Sequence, residues 1–521
     1  MPAPGRIEDA SALVDRAGPQ VELRADVVVV GAGAGGSMAA RELARRGLDV
    51  LLLEEGPDHR PEQSTQREEE MLPRLFRDLG GLRTADLGIL VLAGRGVGGS
   101  TLHNTNLAKR IPDPILAHWA DGLGLGPGAV GPEALAPFFD EVERDLGVTR
   151  IPEERVNAAN RRMRAGIEAL GWQGGVLPHN RDERCQGSGF CELGCAYDGK
   201  RNARRILVPQ LLEAGGRVLA GARVERIRHG GGRAEGVDAT LQGPVGADPD
   251  ARIGRLRVRA RAVCLGGSAI GSAEIALRSR LPDPHRRLGR GLRIHPGAVV
   301  AGIFREPLEA WKGVPQSVEC TEHLDLRPGA SRRVWLIPSF AHPVGVGALL
   351  PSFGPSFLDT LRDYPRMMAI AAMVHDETEG RVAVGRGGRT ELRYTPNAAD
   401  RAQLAQGARA AARILLAAGA ERCLVPAVPS IEVRSERELE AITPDRFRPN
   451  DARLTAVHPM GTLPMSPDPR RGATDPSGRL RGVDGVWVVD GSVFPTSIGG
   501  PPQMGIYAFG MRHGRALADA L

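Results

Sequence analysis

The sequence predicts an α/β protein whose central sheet is assembled from segments that lie far apart in the chain. A strand–turn–helix–strand unit occupies residues 25–55, and isolated strands are predicted further on, at 253–265 and 485–490. A βαβ unit followed by lone strands is typical of a parallel sheet covered by helices. At roughly 150 residues per domain, a chain of 521 residues suggests two to four domains or one large two-lobed fold.

The composition excludes several classes of protein. Hydrophobic residues make up 42% of the chain and charged residues 25%, which is ordinary for a globular protein and excludes collagen, coiled coil and wholesale disorder. The net charge is +6, but the 68 basic residues are scattered among 62 acidic ones, and aromatic residues make up only 4%. A nucleic-acid-binding face needs a localised basic stripe with stacking aromatic residues, so no nucleic-acid partner is predicted.

Neither a membrane span nor an export signal is predicted. No stretch approaches the roughly 18 apolar residues of a spanning helix, so no membrane span is predicted. The first 18 residues do not have the charged-then-apolar layout of a signal peptide. A cytoplasmic location follows as the default expectation.

The first βαβ unit has clear boundaries. Residues 26–30 (DVVVV) and 49–53 (DVLLL) are apolar runs, as expected for strands buried on both faces. Between them lie a glycine turn over 31–36 and a helix over 37–46, which Gly47 is suited to end.

The turn of this unit has the spacing Gly31-x-Gly33-x-x-Gly36. In such turns the first glycine permits the tight bend, the second lets the backbone approach a pyrophosphate, and the third allows close packing of helix on strand. Glu54 ends the next strand, 18 residues after Gly36, where a carboxylate can accept from a ribose hydroxyl. This combination predicts dinucleotide binding, but its spacing does not choose between NAD and FAD.

Downstream, the pattern alternates between regular and irregular segments. Residues 56–90 are charged and irregular, and residues 131–146 have helical character. The remaining predicted elements are strands over 217–228, 233–241 and 253–265, with a glycine turn at 230–232, an alanine-rich helix over 401–420, and a buried strand over 485–490.

Two further motifs carry polar residues that are suited to chemistry. The glycine-rich stretch at 94–104 (GRGVGGSTLHN) is either a second loop with amides beside a cofactor or an ordinary surface loop. His458 precedes Pro459, which favours an extended or turn backbone and allows the imidazole to act as a base near neutral pH. For a lone histidine, a structural role is the more common one. Asp490 ends a buried strand, where α/β sheets bind ligands.

Taken together, these motifs resemble those of the glucose–methanol–choline (GMC) oxidoreductases. The family combines a strand–GxGxxG–helix–strand-Glu start with a GGSxxxN loop about 65 residues later, matched by Gly98 to Asn104. It also has HPxGT-type and DGSxxP segments near the C-terminus, matched by 458–462 and 490–495. Weaker matches lie at 223–227 and 263–271, and all the blocks occur in the family's order.

The resemblance implies a two-domain architecture like that of GMC enzymes and p-hydroxybenzoate hydroxylase. A Rossmann-like FAD-binding domain would comprise residues 20–110, 200–300 and 450–521. An α+β substrate domain with an antiparallel sheet would use 301–449. Residues 111–199, which contain the cysteine cluster, would bridge the two domains or form a lid.

The resemblance also implies an activity and a set of site residues. GMC enzymes oxidise an alcohol to a carbonyl, and His458 would be the base that takes the hydroxyl proton while hydride passes to flavin N5. Carried over by position, the cofactor-binding residues would be Gly31, Gly33, Gly36, Glu54, Gly98, Gly99, Ser100, His103, Asn104, Val224, Asp490, Gly491 and Pro502.

One position departs from the family pattern. Where the family has an Asn or His that binds the alcohol oxygen, this chain has Pro501, which donates no hydrogen bond. Gln503 is the nearby candidate to supply the missing contact. The departure keeps open an alternative on the same fold, a lyase or decarboxylase that carries out non-oxidative flavin chemistry.

Two residue sets have competing interpretations. His103 directly precedes Asn104. In some members of the family, a histidine at the position of His103 is bonded covalently to the flavin. His103 is either such a link or a packed histidine. Cys185, Cys191 and Cys195 could ligate a [3Fe–4S] cluster, as in a similar segment of some bacterial relatives, or could pack as small buried thiols.

The substrate and the electron acceptor are the least determined features. The expected partner is a small alcohol, with an apolar one favoured. Oxygen, a quinone and a cytochrome all remain open as acceptors.

Overall fold

A computed structural model of the protein describes residues 5–243, 251–350 and 352–521. The strands β1 to β22 span, in chain order, Ile7–Asp9, Gln20–Val30, Val50–Glu54, Ile89–Val91, Val148–Arg150, Gly174–Val176, Pro178–Asn180, Arg217–Ala220, Ala222–Gly230, Arg233–Gln242, Arg252–Leu265, Arg290–Leu292, Gly297–Ile303, Val318–Cys320, Val334–Ser339, Met367–Val374, Gly380–Val384, Thr390–Arg393, Arg422–Val425, Ile431–Val433, Leu454–Ala456 and Val486–Val488.

The α-helices are distributed along the whole chain, and the longest ones, α12 and α13, lie in its last quarter. The helices α1 to α13 span Ala10–Ala17, Ala34–Arg45, Glu68–Leu75, Asp113–Ala117, Pro127–Val130, Pro132–Leu146, Ala158–Ala169, Ala203–Glu213, Ser268–Arg278, Pro343–Leu349, Pro355–Arg362, Ala398–Ala417 and Gln503–Ala520.

The first large sheet has the strand order β1-β8-β3-β2-β11-β10-β9, and β22 pairs with β11. Its centre is parallel, with β2 between β3 and β11. The apolar residues of β3 and of the second half of β2 are buried throughout, which is the burial expected when helices cover both faces of a sheet. Strands separated by more than 200 residues thereby meet in one layer.

The second large sheet has the order β20-β19-β13-β16-β15-β14-β6, with β21 and β4 paired at its side. Its central strands β13, β15 and β16 are antiparallel. Because side chains alternate across a strand, Ala298, Ile370 and Ala372 share one face, which packs in the same apolar core as Leu404 and Ala408 of α12. The opposite face is free to line a cavity.

Most predicted elements exist, but some boundaries differ. The predicted strand over 217–228 is broken at Gly221, where φ is +75°, so β8 pairs in parallel with β3 and β9 turns back against β10. The segment 56–90, predicted to be irregular, contains α3. The alanine-rich helix begins at Ala398 because the Asn397 side chain caps it by accepting from the amide of Asp400 at 2.8 Å.

Glycines set how closely the helices approach the sheet. A Cβ atom on Gly35 of α2 would overlap the carbonyl oxygen of Val489, just after β22. A Cβ atom on Gly510 of α13 would lie 2.7 Å from the carbonyl oxygen of Gly35. The absence of side chains therefore lets α2 reach the ends of the parallel strands. Within the described ranges, no helix has the length and apolar character needed to cross a bilayer.

Candidate active site

A large cleft lies at the carboxyl ends of the parallel strands β2, β3, β11 and β22. It contains about 2010 Å³ of space between atoms, including the part that is open to solvent. One wall is formed by the residues that follow these strands, and the other by the free face of the antiparallel sheet. Ligands of open α/β sheets bind at this end of the strands.

The first glycine turn forms part of the cleft wall. Gly31 has a φ of +92°, and a Cβ atom there would lie 2.5 Å from the carbonyl oxygen of Gly266. A Cβ atom on Gly36 would overlap the carbonyl oxygen of Gly31, so this glycine allows α2 to pack on the turn. At Gly33 the nearest atom, the Cα of Gly99, would be 3.9 Å away, so the backbone of the turn borders open space.

Glu54 ties the two glycine-rich loops together. Its carboxylate accepts hydrogen bonds from the amides of Ala32 (2.9 Å), Gly56 (2.9 Å) and Gly96 (3.0 Å). Burial, followed by repulsion from Glu55, raises the pKa of Glu54 to about 7. The sequence predicts a ribose contact for this residue; the structure places it in the cleft wall and adds a role in joining the loops.

The second glycine-rich loop borders the cleft beside the first. The amide of Gly98 donates to the carbonyl oxygen of Ala32 at 2.9 Å, and Gly98 and Gly99 have φ values of +113° and +53°. Ser100 accepts from the amide of Gly94 at 2.9 Å through its hydroxyl oxygen. Of the two interpretations, cofactor-side loop or surface loop, the position in the cleft wall supports the first.

His103 lies in the cleft wall with one nitrogen unused. Its ring packs against Phe76 with 3.9 Å between the ring centroids. Its Nε2 is buried and has no hydrogen-bond partner within the described part of the chain. Burial, followed by the charge of Lys200, lowers the pKa of His103 to about 3, so the ring is neutral. A buried polar atom with no protein partner is available to contact a bound molecule.

Residues near the C-terminus complete the wall that the strand ends form. Asp490, which follows β22, accepts hydrogen bonds from the amide of Ser492 (2.9 Å) and the hydroxyl of Ser272. Burial raises the pKa of Asp490. Gly491 and Pro502 also line the cleft, as does Val224 on β9. All the cofactor-binding residues that the sequence predicts, except Gly36 and Gly98, line this one cleft, and those two shape its turns.

His458 is placed by the loop that follows β21. Met460 and Arg293 exchange amide-to-carbonyl hydrogen bonds of 2.9 Å, and the amide of Gly461 donates to the carbonyl oxygen of Gly491 at 3.0 Å. These bonds fix the loop between two other segments of the cleft wall. The half-buried ring of His458 lines the cleft together with Pro501.

The ring of His458 pairs with a second histidine, His295. Their Nδ1 atoms lie 3.2 Å apart, and the ring planes are inclined at 85°. Burial, followed by the charge of His295, lowers the pKa of His458 well below its ordinary value of 6.5. His458 is therefore neutral at pH 7, and Nε2 is its nitrogen without a protein partner among the described residues.

Gln503 does not supply the contact that Pro501 lacks. Its amide oxygen accepts from the Nδ2 of Asn104 at 2.8 Å, and its Nε2 donates to the carbonyl oxygen of Leu107 and to the Oδ1 of Asn180 (3.1 Å). Since these bonds already engage both ends of its amide, we correct the prediction of a catalytic Gln503. The residue instead fixes Asn104 in the cleft wall.

Gln316 is a polar cleft residue that sequence reasoning missed. Its amide oxygen accepts from the hydroxyl of Thr105, which leaves Nε2 as a donor without a partner among the residues described. Its backbone has a φ of +50°, a conformation that non-glycine residues seldom adopt outside special sites. No motif surrounds this residue, so only the folded chain identifies it.

The facing wall of the cleft is mostly apolar. Alternate residues of three antiparallel strands point into it: Gly297 and Val299 of β13, Ile337 and Ser339 of β15, and Ala371 and Met373 of β16. Leu107 and Val457 extend this surface. The wall is suited to hydrocarbon next to the polar groups of His458 and Gln316.

The cysteine segment does not form the predicted metal centre. In the described parts of the chain, no three His, Cys, Asp or Glu side chains come together in a way that could hold a metal ion, so the [3Fe–4S] prediction for Cys185, Cys191 and Cys195 has no structural support. The ammonium of Lys200 lies here instead and donates to the carbonyl oxygens of Leu102 (3.0 Å) and Cys191 (2.9 Å). Burial raises the pKa of Cys191 to about 12, so the thiol is protonated.

Comparison with protein families supports the predicted resemblance. The N-terminal profile of the GMC oxidoreductases matches residues 25–297, and the C-terminal profile of the same family matches residues 377–510. Together they span more than half of the chain and include both glycine turns, His295, His458 and Asp490.

Curated relatives match nearly the whole chain. An uncharacterized GMC-type oxidoreductase of Mycobacterium tuberculosis is 36% identical over 503 residues, which cover 95% of this chain and 75% of the relative. A long-chain-alcohol oxidase of Arabidopsis thaliana is 27% identical, with 96% and 68% covered. The paromamine 6'-oxidase of Streptomyces fradiae is 26% identical, with 95% and 92% covered.

Solved structures share the fold at low identity. Pyridoxine 4-oxidase from Mesorbium loti superposes with a TM-score of 0.70 at 19% identity, covering 94% of this chain and 98% of that one. A formate oxidase superposes with a TM-score of 0.68 at 13% identity, covering 96% and 98%. The predicted α/β fold is confirmed. None of these comparisons supports the non-oxidative alternative.

Proposed function

Since the chain belongs to the GMC oxidoreductase family, we propose that it is an FAD-dependent enzyme that oxidises an apolar alcohol to a carbonyl compound. The observation that carries this proposal is the position of His458: its ring lines the cleft beside an apolar wall and keeps one nitrogen free of protein partners. A proton-accepting group next to a hydrocarbon-binding surface is what oxidation of an apolar alcohol requires.

The cleft residues fit FAD. Gly31 and Gly33 would border the pyrophosphate, because backbone without side chains allows close approach and the start of α2 favours negative charge. Glu54 would hold the adenosine ribose, and Asp490 with Gly491 the ribityl end. When bound, FAD supplies a two-electron acceptor for the hydride that leaves the alcohol carbon. The buried Nε2 of His103, which has no partner among the described residues, supports a cofactor contact at this position.

We propose that His103 contacts the flavin. Its ring is held by Phe76 and its Nε2 has no other use, which suits either a covalent bond or a packed contact. Acid precipitation distinguishes the two: protein that stays yellow carries a bonded flavin, whereas flavin in the supernatant was held by packing.

His458 would take the hydroxyl proton of the alcohol at Nε2. General base catalysis by a positioned side chain contributes roughly 10²–10⁴ in rate. Burial lowers the pKa of His458 well below 6.5, so the ring is neutral at pH 7 and one of its two nitrogens is free to accept a proton. The amide of Gln316 would donate to the alcohol oxygen and so replace the contact that Pro501 cannot make.

The apolar wall indicates the class of substrate. Val299, Ile337 and Met373 would contact the hydrocarbon part of the alcohol. The Arabidopsis relative is named a long-chain-alcohol oxidase, which supports an apolar chain as the substrate. A relative of similar identity is named a paromamine 6'-oxidase, so the relatives do not share one substrate and the substrate class needs a direct test.

Anaerobic flavin bleaching is the direct test. The FAD-loaded enzyme is mixed under nitrogen with a panel of straight-chain alcohols of increasing length, a sterol, a sugar and an amino alcohol. We expect the rate of loss of flavin absorbance to increase with chain length. Bleaching only by the sugar or the amino alcohol would contradict the apolar assignment, and turnover without any bleaching would contradict oxidation.

Readmission of air identifies the electron acceptor. Rapid return of the oxidised spectrum would make the enzyme an oxidase, like the relatives named above. Slow return, accelerated by an added quinone or cytochrome, would make it a dehydrogenase.

A further inference from the structure

His295 is a buried histidine held in an uncommon backbone conformation. It lies three residues after β12, is only 2% exposed and has a φ of +51°. The buried carboxylate of Asp376 accepts from the amides of Ile294 (3.1 Å) and His295 (3.3 Å) and from the hydroxyl of Tyr394 (2.8 Å). A residue held in the left-handed region by a dedicated carboxylate indicates that its orientation matters.

Both ring nitrogens of His295 are in use, and one of them has a partner that can only donate. The backbone amide of Gly499 donates to Nε2 of His295 at 3.2 Å. A nitrogen that accepts a hydrogen bond carries no proton, so the proton of the neutral ring lies on Nδ1. Burial, followed by the charge of His375, lowers the pKa of His295 to about 3, so the ring is neutral at pH 7.

The state of His295 determines that of His458. The two Nδ1 atoms share one hydrogen bond of 3.2 Å, so one of them donates and the other accepts. Because Nδ1 of His295 carries a proton, Nδ1 of His458 is the acceptor. The proton of neutral His458 then lies on Nε2, the nitrogen that is available to the cleft.

We propose that His295 is a positioning residue that sets the tautomer of His458, so that in the resting enzyme His458 presents an N–H group to the cleft. The tautomer is inferred from the hydrogen bonds alone, whereas its effect on the alcohol rests on the proposed function. In this tautomer His458 donates a hydrogen bond to the alcohol oxygen. It becomes a base only in the other tautomer of the pair.

That other tautomer has a defined proton arrangement. His458 carries its proton on Nδ1 and donates to Nδ1 of His295, and His295 carries its own proton on Nε2. The number of protons in the pair is unchanged: the Nδ1 proton of His295 passes to Nδ1 of His458, Nε2 of His458 releases its proton to water, and Nε2 of His295 takes one from water. Nε2 of His295 then faces the amide of Gly499 as a second donor, so this segment must move away.

Gly499 thereby connects the tautomer to the wall of the cleft. It precedes Pro501 and Pro502, which both line the cleft. A molecule that displaces this segment would release the amide of Gly499 from His295 and favour the base form of His458. Binding of the alcohol and activation of its hydroxyl would then be coupled through His295.

The test is nitrogen-15 NMR of the histidine rings in the FAD-loaded enzyme without substrate. The protein contains 12 histidines, and the His458→Asn variant assigns the ring signals of His458. We expect Nε2 of His458 to be the protonated nitrogen. A protonated Nδ1 on His458 in the wild-type enzyme would overturn the proposal.

His513 provides an internal control, because it is expected to have the opposite tautomer. Its Nδ1 lies 2.9 Å from the carbonyl oxygen of Val488, which can only accept, so Nδ1 of His513 must carry the proton. The His295→Asn variant retains a hydrogen-bonding side chain that tolerates positive φ but cannot reach Gly499 in the same way. We expect it to give a mixture of both tautomers at His458 and no change at His513. A single unchanged Nε2–H tautomer in this variant would show that His295 does not set it.

The two proposals fail separately. If an alcohol bleaches the flavin but His458 carries its proton on Nδ1, only the positioning role is wrong. If His458 has the expected tautomer but no alcohol bleaches the flavin, only the proposed function is wrong.

Discussion

The two walls of the cleft are constructed in different ways. The wall at the ends of the parallel strands is mostly backbone, and its contacts depend on glycines such as Gly31, Gly36 and Gly99, at which a side chain does not fit. The facing wall consists of side chains from three antiparallel strands, and His458 approaches from a separate loop. The shape of the first wall is therefore set by its backbone, whereas the surface of the second wall depends on which side chains its strands carry.

This difference predicts how each wall responds to substitution. A backbone wall leaves no room for adjustment, because a backbone oxygen cannot move aside as the end of a side chain can. A side-chain wall can lose one contact and keep its fold. Substitutions in the first wall should therefore abolish cofactor binding, whereas those in the second should change rates and affinities.

The largest effect is expected for Gly36→Ala. The new methyl group would overlap the carbonyl oxygen of Gly31, so α2 would have to move off the turn. We expect the free energy of unfolding to fall by about 3 kcal/mol and FAD to be lost on gel filtration. Gly128→Ala is the matched control, because no atom lies within 4 Å of the added carbon. Retention of FAD by Gly36→Ala would contradict the rigid-wall interpretation.

The next effect is expected for His458→Ala. Removing the base should lower the rate of anaerobic flavin reduction by about 10²-fold or more, while the FAD content stays unchanged. His285→Ala, a change at an exposed histidine, should leave the rate unchanged. A normal rate in His458→Ala would remove His458 from the reaction and with it the evidence that carries the proposed function.

A smaller effect is expected for Gln316→Glu. The carboxylate keeps an acceptor for the hydroxyl of Thr105 but replaces the amide donor that faces the cleft. Loss of one hydrogen bond, worth about 1.4 kcal/mol, should raise KM for the alcohol about tenfold with FAD binding unaffected. An unchanged KM and kcat would mean that the alcohol oxygen finds its donor elsewhere.

The smallest effect is expected from pH. Burial lowers the pKa of His458 well below 6.5, so the neutral form already predominates at neutral pH and a further rise in pH removes no inhibiting proton. The rate of flavin reduction should therefore change less than about twofold between roughly pH 6.5 and 8.5 and fall only at lower pH. A steep rise through the ordinary histidine range would show that the ring is less buried in the working enzyme.

Sequence reasoning was strongest where function depends on local spacing. Gly31, Gly33, Glu54 and Asp490 were predicted from turns and strand ends, and all four line the cleft. Prediction from the sequence was weakest for residues whose contacts come from several separate segments. Gln503 was predicted from its closeness in sequence to Pro501, but the fold engages its amide with Asn104, Leu107 and Asn180.

The cysteine segment is a second place where spacing along the chain did not predict the arrangement of the side chains. Three thiols at short spacing suggested a metal centre, but spacing along a loop does not determine where the side chains point. In the folded chain the ammonium of Lys200 lies against the carbonyl oxygens of this region, and Cys191 stays a protonated thiol.

The sequence by itself determined the family, the glycine turn at the cleft and the identity of the histidine that lines it, because each depends on residues that are neighbours along the chain. Only the tertiary structure decided what that histidine does with its proton. His295, Gly499 and His458 come from three separate segments. Only the folded chain brings His458 and Gly499 each within 3.2 Å of a ring nitrogen of His295 and so sets the direction of the hydrogen bonds. The backbone amide of Gly499 can only donate, so it determines which nitrogen donates in the hydrogen bond between His295 and His458.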